Sequence, residues 1–180
     1  PEGSREVVAL YPNLPFVTFR STLRNSGTEP VVHKHVATVS AAVDLGKSME
    51  SIQTLGTGGL FAPDKNPGSY AFLSIVDPET RSGVVGGWLS HDRGSGVVFS
   101  PVENGAARMQ AQIDYGCLRI KPGEEAVAET FAIGYFEDAR LGLEAYADAI
   151  GKIYAVKLLP QTAGLCTWYM DRHAAACDEV

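Results

Sequence analysis

The sequence is poor in cysteine and tryptophan and has no excess of positive charge. Its three cysteines, Cys117, Cys166 and Cys177, form no C-x-x-C pair, so we expect free thiols rather than a disulfide framework. The formal charge of −6 argues against the basic surface with which proteins bind nucleic acid. The sequence shows no apolar run that could span a bilayer and no basic-then-apolar signal peptide. We therefore predict neither a nucleic-acid partner nor a membrane partner.

What the sequence does contain is a series of short β-prone runs bounded by Gly, Pro, Asn and Asp. With 180 residues, 45% of them hydrophobic, there is room for one domain with a proper core and a fragment of a second. The runs are FVTFRSTLRN, VVHKHVATVSAAVDL, SYAFLSIVD, GVVGGWLS, GSGVVFS, RMQAQIDYGCLRI and VAETFAIGYF. In the sixth run the apolar parity changes after Gly116, which predicts a bulge or bend there. Many short strands without intervening helices predict a mainly β, antiparallel sandwich.

The pattern changes at Asp138, which is a suitable helix N-cap. Apolar residues then recur at helical spacing to about residue 156: Leu143, Tyr146, Ala147, Ile150, Ile153 and Tyr154. Pro160 ends this segment. A helix placed after an all-β region and before a new strand predicts a connector between domains. We therefore divide the chain into a sandwich domain at 1–138, a connector helix at 139–159, and the start of a second domain at 160–180.

Histidines occur at two places where a site is conceivable. The H-x-H spacing of His33 and His35 places two imidazoles on one face of a strand, where they could share a metal. Since no third ligand can be assigned, we interpret them as polar residues near the start of a strand. In LSHDRGSG we interpret His91, Asp92 and Arg93 in the same way, as a solvated hairpin connection.

Two glycine-rich stretches, GTGG at 56–59 and VVGGW at 84–88, lack the strand–GxGxxG–helix context of a dinucleotide site. We interpret them as turn and bend glycines. The chain also has no G-x-S-x-G nucleophile elbow. Its acidic residues cannot be assigned acid and nucleophile roles, because such carboxylates are paired in space rather than in sequence. We therefore predict no cofactor and no metal.

The stretch GLCTWYMD, from Gly164 to Asp171, is β-prone and follows a Pro-containing loop. If it is the first strand of a (β/α)8 barrel, Trp168 and Asp171 lie at its carboxyl end, where barrel active sites are found. There Trp168 could offer its apolar face to a sugar ring, and Asp171 could accept hydrogen bonds from hydroxyl groups. The alternative is a final edge strand of the sandwich with an ordinary core tryptophan. The pattern alone does not separate these two interpretations.

A resemblance to a known family bears on this choice. GLCTWYMD after LLPQTA resembles the G-W-C-T/S-W motif that opens the catalytic barrel of glycoside hydrolase family 36, although Leu165 stands where the family usually has Trp. The family contains α-galactosidases and the related raffinose- and stachyose-synthesising enzymes. In its members a large β-supersandwich precedes the barrel, and a helix joins the two. The order of strands, KPGEEAVAETFAIGYF, LEAYADAIGK and the motif is similar to that arrangement.

The resemblance implies a galactose mutarotase-like β-supersandwich, a connector helix and the first strand of a truncated (β/α)8 barrel. It implies that this amino-terminal domain is non-catalytic and packs against its own barrel. The parent protein would be a retaining α-glycosidase that hydrolyses α-galactoside-type oligosaccharides. An aspartate nucleophile and an aspartate acid/base would lie beyond Val180, leaving no catalytic residue in this chain. The residues carried over are Trp168, as a wall of the sugar subsite, and Asp171, as a hydroxyl contact. A homo-oligomer and a transglycosidase remain open.

Two other hypotheses come from different classes. One is a lectin-like, carbohydrate-binding sandwich without catalysis, in which Tyr70, Trp88 and Tyr115 form a stacking platform. These aromatics fit the alternating apolar faces, however, and core positions are favoured. The other is an aldose-epimerase-like enzyme with His91 as acid and Glu103 as base, which rests on fold analogy.

Overall fold

The computed structural model describes residues 4–161 and Gly164. The expected first barrel strand, with Trp168 and Asp171, lies outside the described residues. The described chain forms thirteen β-strands and one α-helix. The strands are β1 (Arg5–Tyr11), β2 (Leu14–Arg24), β3 (Val31–Val43), β4 (Gln53–Gly56), β5 (Gly59–Phe61), β6 (Ser69–Tyr70), β7 (Phe72–Val76), β8 (Gly83–Trp88), β9 (Ser95–Phe99), β10 (Val102–Glu103), β11 (Ala106–Ile120), β12 (Glu125–Val127) and β13 (Phe131–Phe136). A 3-10 turn spans Pro63–Lys65, and the helix is α1 (Ala139–Ile153).

The strands form two antiparallel sheets. Eight strands form the larger sheet in the order β1–β2–β13–β8–β7–β4–β5, with β12 also paired to β2. Five strands form the smaller sheet in the order β10–β11–β9–β6, with β3 paired to β11. The chain changes sheet between β6 and β7 and again between β8 and β9. The predicted mainly β antiparallel sandwich, followed by a helix, is confirmed.

The main core lies between the two sheets. Trp88 and Phe131 of the larger sheet are fully buried there, with their ring centroids 5.1 Å apart in an edge-to-face arrangement. Met109 and Ile113 reach this core from β11. Because successive side chains of a strand point to opposite faces, the residues between these positions face away from this core.

The strand β11 contains the predicted irregularity at Gly116. Its register with β3 shifts between the pairs Asp114–His35 and Leu118–His33, and Gly116 lies inside the shift with a φ of 67°. This left-handed conformation favours glycine, which has no Cβ to clash with the backbone. The bulge predicted from the change of apolar parity is therefore confirmed.

The helix α1 packs on the other face of the larger sheet. Tyr146 and Ala149 of the helix are buried there against Phe16, Val85 and Ala132 of the sheet. The predicted N-cap is confirmed, since the Asp138 side chain accepts a hydrogen bond of 3.0 Å from the backbone N–H of Arg140. No helix in the described part of the chain is long and apolar enough to cross a membrane.

The helix ends before the predicted limit near residue 156. Ala155 adopts a φ of 48°, the backbone N–H of Val156 donates to the Gly151 carbonyl, and that of Ala155 donates to the Lys152 carbonyl. These two bonds form a Schellman motif, which satisfies carbonyls that the last turn leaves without helical partners. The stop therefore comes from backbone hydrogen bonding several residues before Pro160.

The glycines of VVGGW were predicted to lie in a turn or bend, and for Gly86 and Gly87 this prediction is wrong. Both lie inside β8. A Cβ on Gly86 would collide with Met109 in the main core, and one on Gly87 would lie 2.5 Å from the ring of Tyr146 on the helix side. Glycine is needed here because β8 is packed tightly on both faces, which leaves no room for side chains.

Candidate functional site

Residues 90–94 form the first part of the candidate site. They connect β8 of the larger sheet to β9 of the smaller one, so the predicted hairpin connection is wrong. The loop is anchored along its length. The Ser90 hydroxyl accepts a 2.9 Å hydrogen bond from the backbone N–H of Thr130, and the Tyr154 hydroxyl donates to the Asp92 carboxylate at 3.1 Å. The loop is thereby tied to both β13 and the end of α1.

A buried carboxylate, Glu129, lies beneath this loop and is only 3% exposed. Its Oε1 accepts hydrogen bonds from the backbone N–H of Arg93 at 3.2 Å and from Arg93 Nε at 3.3 Å. Its Oε2 accepts a hydrogen bond from the Tyr115 hydroxyl, and the Arg93 guanidinium also donates to the Val127 carbonyl. The guanidinium lies 5.8 Å from the centre of the Tyr115 ring. Arg93, Tyr115 and Glu129 therefore form one cluster, which we call the Glu129 cluster.

The electrostatics of the Glu129 cluster favour a structural role. Burial raises the pKa of the Tyr115 phenol, and the hydrogen bond and negative charge of Glu129 raise it further. The phenol therefore keeps its proton and donates it to the carboxylate. Both carboxylate oxygens of Glu129 are in turn engaged, by Arg93 of the loop and by Tyr115 of β11. The cluster joins the loop to β11 and to the residues before β13, and its carboxylate is shielded from any substrate in the solvent.

An open groove of about 900 Å³ runs along α1. Its walls are mainly apolar, and His91 lies at its rim. The lining residues are Ala71, Phe72, His91, Leu143, Tyr146, Ala147, Asp148, Ile150, Gly151, Lys152, Val156 and Leu158. Tyr146 spans its floor, where the phenol donates a 2.7 Å hydrogen bond to the Trp88 carbonyl. A groove of this composition offers contact area for an apolar partner and few groups for catalysis.

The histidines of the predicted H-x-H pair lie two residues apart near the start of β3. His35 is exposed and opposite Asp114, whereas His33 is half-buried and opposite Leu118, across the register shift. Among the residues that the structure describes, no group of three or more His, Cys, Asp or Glu side chains is placed to hold a metal ion. The spacing therefore does not produce a ligand set around these two residues.

The three aromatics of the predicted stacking platform do not lie together. Trp88 is fully buried in the main core, and Tyr115 belongs to the Glu129 cluster. Tyr70 is 67% exposed and lies on β6 at the margin of the smaller sheet. The prediction of a stacking platform made from these three residues is therefore wrong. Of the three, Tyr70 is the one with a largely exposed ring.

The proposed epimerase pair is also separated. Glu103 pairs with Ala106 at the start of β11, and its carboxylate accepts a hydrogen bond from Gln110 and forms an ion pair with Arg108. His91 lies two residues before Arg93, which contacts Tyr115 near the other end of the same strand. The stretch of β11 between these two contacts spans about 30 Å at the usual rise per residue. His91 and Glu103 therefore cannot act on one sugar carbon.

The sequence analysis missed the Glu129 cluster. Its solvated interpretation of residues 91–93 agrees with their exposure, but Arg93 also pairs with the buried Glu129. A signal was present in VAETFAIGYF, where Glu129 has the same parity as the core residue Phe131. A charged residue in phase with a buried apolar face predicts a partner for that charge. The identity of the partner could not be predicted, because Arg93 and Tyr115 are distant in sequence.

Comparisons with known proteins identify the fold. No protein-family model and no curated protein sequence matches the chain. Among solved structures, an α-galactosidase from Lactobacillus brevis matches with a TM-score of 0.59 at 9% identity, covering 83% of this chain and 23% of that chain. A GH36 α-galactosidase from Geobacillus stearothermophilus matches with a TM-score of 0.58 at 13% identity, covering 86% of this chain and 24% of that chain.

A galactose mutarotase related enzyme from Lactobacillus acidophilus matches with a TM-score of 0.51 at 15% identity, covering 74% of this chain and 61% of that chain. This chain thus spans about a quarter of the length of the two galactosidases. At such identities the likeness concerns the fold. The predicted galactose mutarotase-like sandwich, and the resemblance in fold to glycoside hydrolase family 36, are therefore confirmed.

Proposed function

We propose that this chain is the non-catalytic β-sandwich domain of a retaining α-glycosidase that acts on terminal α-galactosides. One observation carries the proposal. The structural match to each of two α-galactosidases covers more than four fifths of this chain but only about a quarter of the enzyme. The remaining three quarters of such an enzyme leave ample room for a catalytic domain. In this proposal GLCTWYMD begins the barrel of that domain.

The buried carboxylates of the described residues support a non-catalytic role. Glu129 is engaged in the Glu129 cluster, and Asp77 accepts hydrogen bonds from Thr80 and from the backbone N–H of Glu79. The Thr80 hydroxyl is the main cause of a lowered pKa for Asp77. A retaining glycosidase needs two carboxyl groups about 5 Å apart that face one substrate cavity. We assign the nucleophile and the acid/base to two aspartates on later barrel strands, beyond Val180.

The apolar surface along α1 supports a following domain that packs on this side. Leu141 on the helix is 60% exposed, and Leu158 and Leu159 after it are 92% and 88% exposed. Leu158 lines the groove of about 900 Å³. Exposed apolar surface of this extent is typical of an interface. In this proposal the barrel covers it, which makes α1 the connector that holds the two domains together.

Within the barrel we propose Trp168 as a wall of the sugar subsite and Asp171 as a hydroxyl contact. The indole would cover the apolar C–H face of the sugar ring, and the carboxylate would accept hydrogen bonds from its hydroxyls. Neither residue would form or break a bond. Their loss would therefore weaken substrate binding more than it slows the chemical step.

The test compares this 180-residue chain with a longer protein that continues past Val180, using a chromogenic aryl α-galactoside. We expect hydrolysis by the longer protein and none by the 180-residue chain. In the longer protein, Trp168→Ala is expected to raise KM about tenfold or more with a smaller change in kcat. Hydrolysis by the short chain, or inactivity of the longer protein on a panel of aryl α-glycosides, would overturn the proposal.

A further inference from the structure

The outer face of the smaller sheet carries an ordered array of aromatic and amide side chains. Register places Tyr70, Val97, Gln112 and Ala37 in one row across β6, β9, β11 and β3. Residues directly opposite each other in a sheet point to the same face. The neighbouring residues Val98 and Ala111 are buried in the main core, so this row points away from it.

A second row lies beside the first and repeats its order. It consists of Phe99, Gln110 and Ser40, again with an aromatic ring at one side, an amide in the centre and a small side chain beyond. The ring of Phe99 lies over Gly68, where a Cβ would be 2.8 Å from it. Both rows thus place an aromatic ring on the β6 and β9 side and an amide on β11, while on the β3 side Arg108 donates to the Ser40 hydroxyl from Nε at 3.2 Å and from Nη2 at 3.1 Å.

An open cleft of about 460 Å³ adjoins the second row. Phe99 and Gln110 line it, together with Asp64 and Asn66 from the residues before β6 and with Ser100, Pro101 and Val102. Its wall thus contains one aromatic ring, two amides and one carboxylate. A cleft with apolar area and a few convergent polar groups is the usual form of a small-ligand site.

The polar groups of the two rows are held in place by one another. Glu103 accepts a hydrogen bond of 3.2 Å from Gln110 Nε2 and forms an ion pair with Arg108, whose Nε lies 3.1 Å from Glu103 Oε2, so the two charges offset each other. Gln112 Nε2 donates to Asp114 Oδ1 at 2.7 Å. In both glutamines the amide nitrogen is engaged by a carboxylate, which is Glu103 of β10 for Gln110 and Asp114 of β11 for Gln112. This leaves the amide oxygens as acceptors for a ligand.

This chemistry fits a neutral, polyhydroxylated ligand. Aromatic rings pack on apolar C–H faces, and neutral amides bond hydroxyl groups without the cost of burying a charge. A phosphate or other anion would meet Asp64, Glu103 and Asp114, and the nearby cations Lys65 and Arg108 are already paired with Asp64 and Glu103. The surface is also too polar for the kind of apolar contact that the α1 groove offers.

We propose that this face, at Tyr70, Phe99, Gln110 and Gln112, binds a neutral oligosaccharide outside any catalytic site. The geometry of the two rows carries the site, and the choice of a sugar as the hydroxylated ligand rests on the proposed function. Such a site would hold the enzyme near a soluble or polymeric sugar chain without taking part in its hydrolysis.

The test is a titration of the 180-residue chain with stachyose and, separately, with maltotetraose, followed by ¹H–¹⁵N chemical shifts. We expect saturable shifts confined to β6, β9, β11 and the residues before β6. Tyr70→Ala is expected to weaken binding about tenfold, the scale of one lost ring contact, while Tyr70→Phe retains it. Tyr135→Ala is the matched control, because Tyr135 is 61% exposed on the other sheet.

Two results would overturn the site. One is the absence of saturable shifts with both sugars while the spectrum stays that of a folded protein. The other is binding that survives Tyr70→Ala and Gln112→Ala but is lost in Tyr135→Ala. The outcome is separable from the proposed function. Hydrolysis by the longer protein without binding here overturns this site alone, and binding here without hydrolysis overturns the enzymatic proposal alone.

Discussion

The two faces of the larger sheet are both packed, but by different means. One face lies against a second sheet and is filled by large side chains such as Trp88 and Phe131. The other face is covered by one helix, which contacts mainly β8 and β13. A helix is about 10 Å wide and strands lie about 4.8 Å apart, so one helix covers about two strands. A sheet of eight strands is therefore closed on one face and only partly covered on the other, which we call the half-open face.

The half-open face explains why three grooves of this molecule lie beside α1. One of about 310 Å³ separates the end of α1 from β1 and β2, lined among others by Val7, Leu14 and Ile153. Another of about 160 Å³ lies on the opposite side of the helix, with Leu55 and Leu60 in its wall. On this face α1 therefore forms the beginning of a second layer and does not complete it. The proposed catalytic domain would supply the rest of that layer.

Trp88→Ala breaks the closed face and has the largest expected effect. The side chain is fully buried, and its removal leaves a cavity between the sheets as well as losing apolar burial. We expect the free energy of unfolding to fall by about 3–5 kcal/mol, measured by urea denaturation. Tyr70→Ala on the exposed outer face is the control and is expected to change it by less than about 0.5 kcal/mol. Similar losses for the two variants would contradict the assignment of Trp88 to the core.

Gly87→Ala tests the half-open face, where the helix lies closest to the sheet. The added methyl group would lie 2.5 Å from the ring of Tyr146, so the helix or the strand must shift. We expect a loss of about 1–3 kcal/mol in the same measurement. Gly151→Ala is the matched control, because a Cβ there meets nothing within 4 Å. Since alanine favours a helix over glycine, that variant is expected to gain about 0.5–1 kcal/mol. A loss in both variants would point to a backbone effect instead of a collision.

The sequence was informative where structure follows from local periodicity. Alternating apolar residues in a strand and 3.6-residue spacing in a helix predicted the sandwich, the bulge at Gly116 and the start of α1 at Asp138, because each depends on neighbours along the chain. The roles of Gly86 and Gly87 depend on Met109 and Tyr146, which approach from elements distant in sequence. A glycine pair looks the same in a turn and between two packed layers, and only the fold separates them.

The same limit applies to the candidate sites. The parity of Glu129 signals burial, but its partners Arg93 and Tyr115 come from a loop and from another sheet. Tyr70 and Trp88 both stand in β-prone runs, and only the pairing of their strands shows that one faces solvent and the other the core. Whether Trp168 and Asp171 meet a sugar stays a prediction from the family resemblance.

Tyr146→Phe removes one polar tie between α1 and the sheet while keeping the packed ring. The phenol donates a 2.7 Å hydrogen bond to the Trp88 carbonyl, and its burial raises its pKa. We expect a loss of about 1 kcal/mol in the free energy of unfolding, the usual net value of such a bond. Tyr154→Phe at the exposed end of the helix serves as the control, with a smaller expected loss. An unchanged stability in Tyr146→Phe would mean that packing alone holds the helix on this face.

Asp138→Asn has the smallest expected effect and tests the start of the helix through pH. Hydrogen bonds from Arg140 are the main cause that lowers the pKa of Asp138 to about 2 in the folded protein, below the usual value of about 3.9. A carboxyl whose pKa is lower when folded adds stability above its unfolded pKa and loses it as the pH falls toward the folded value. As the pH falls from about 4 to about 2, the Tm of the wild-type protein is expected to decline partly because Asp138 takes up a proton. Asparagine keeps the cap but cannot titrate, so this part of the decline is expected to be missing in Asp138→Asn. Asp148→Asn, on the same helix, is expected to leave the decline unchanged. An identical decline in both variants would show that the charge at the helix start does not help to hold α1 on the half-open face.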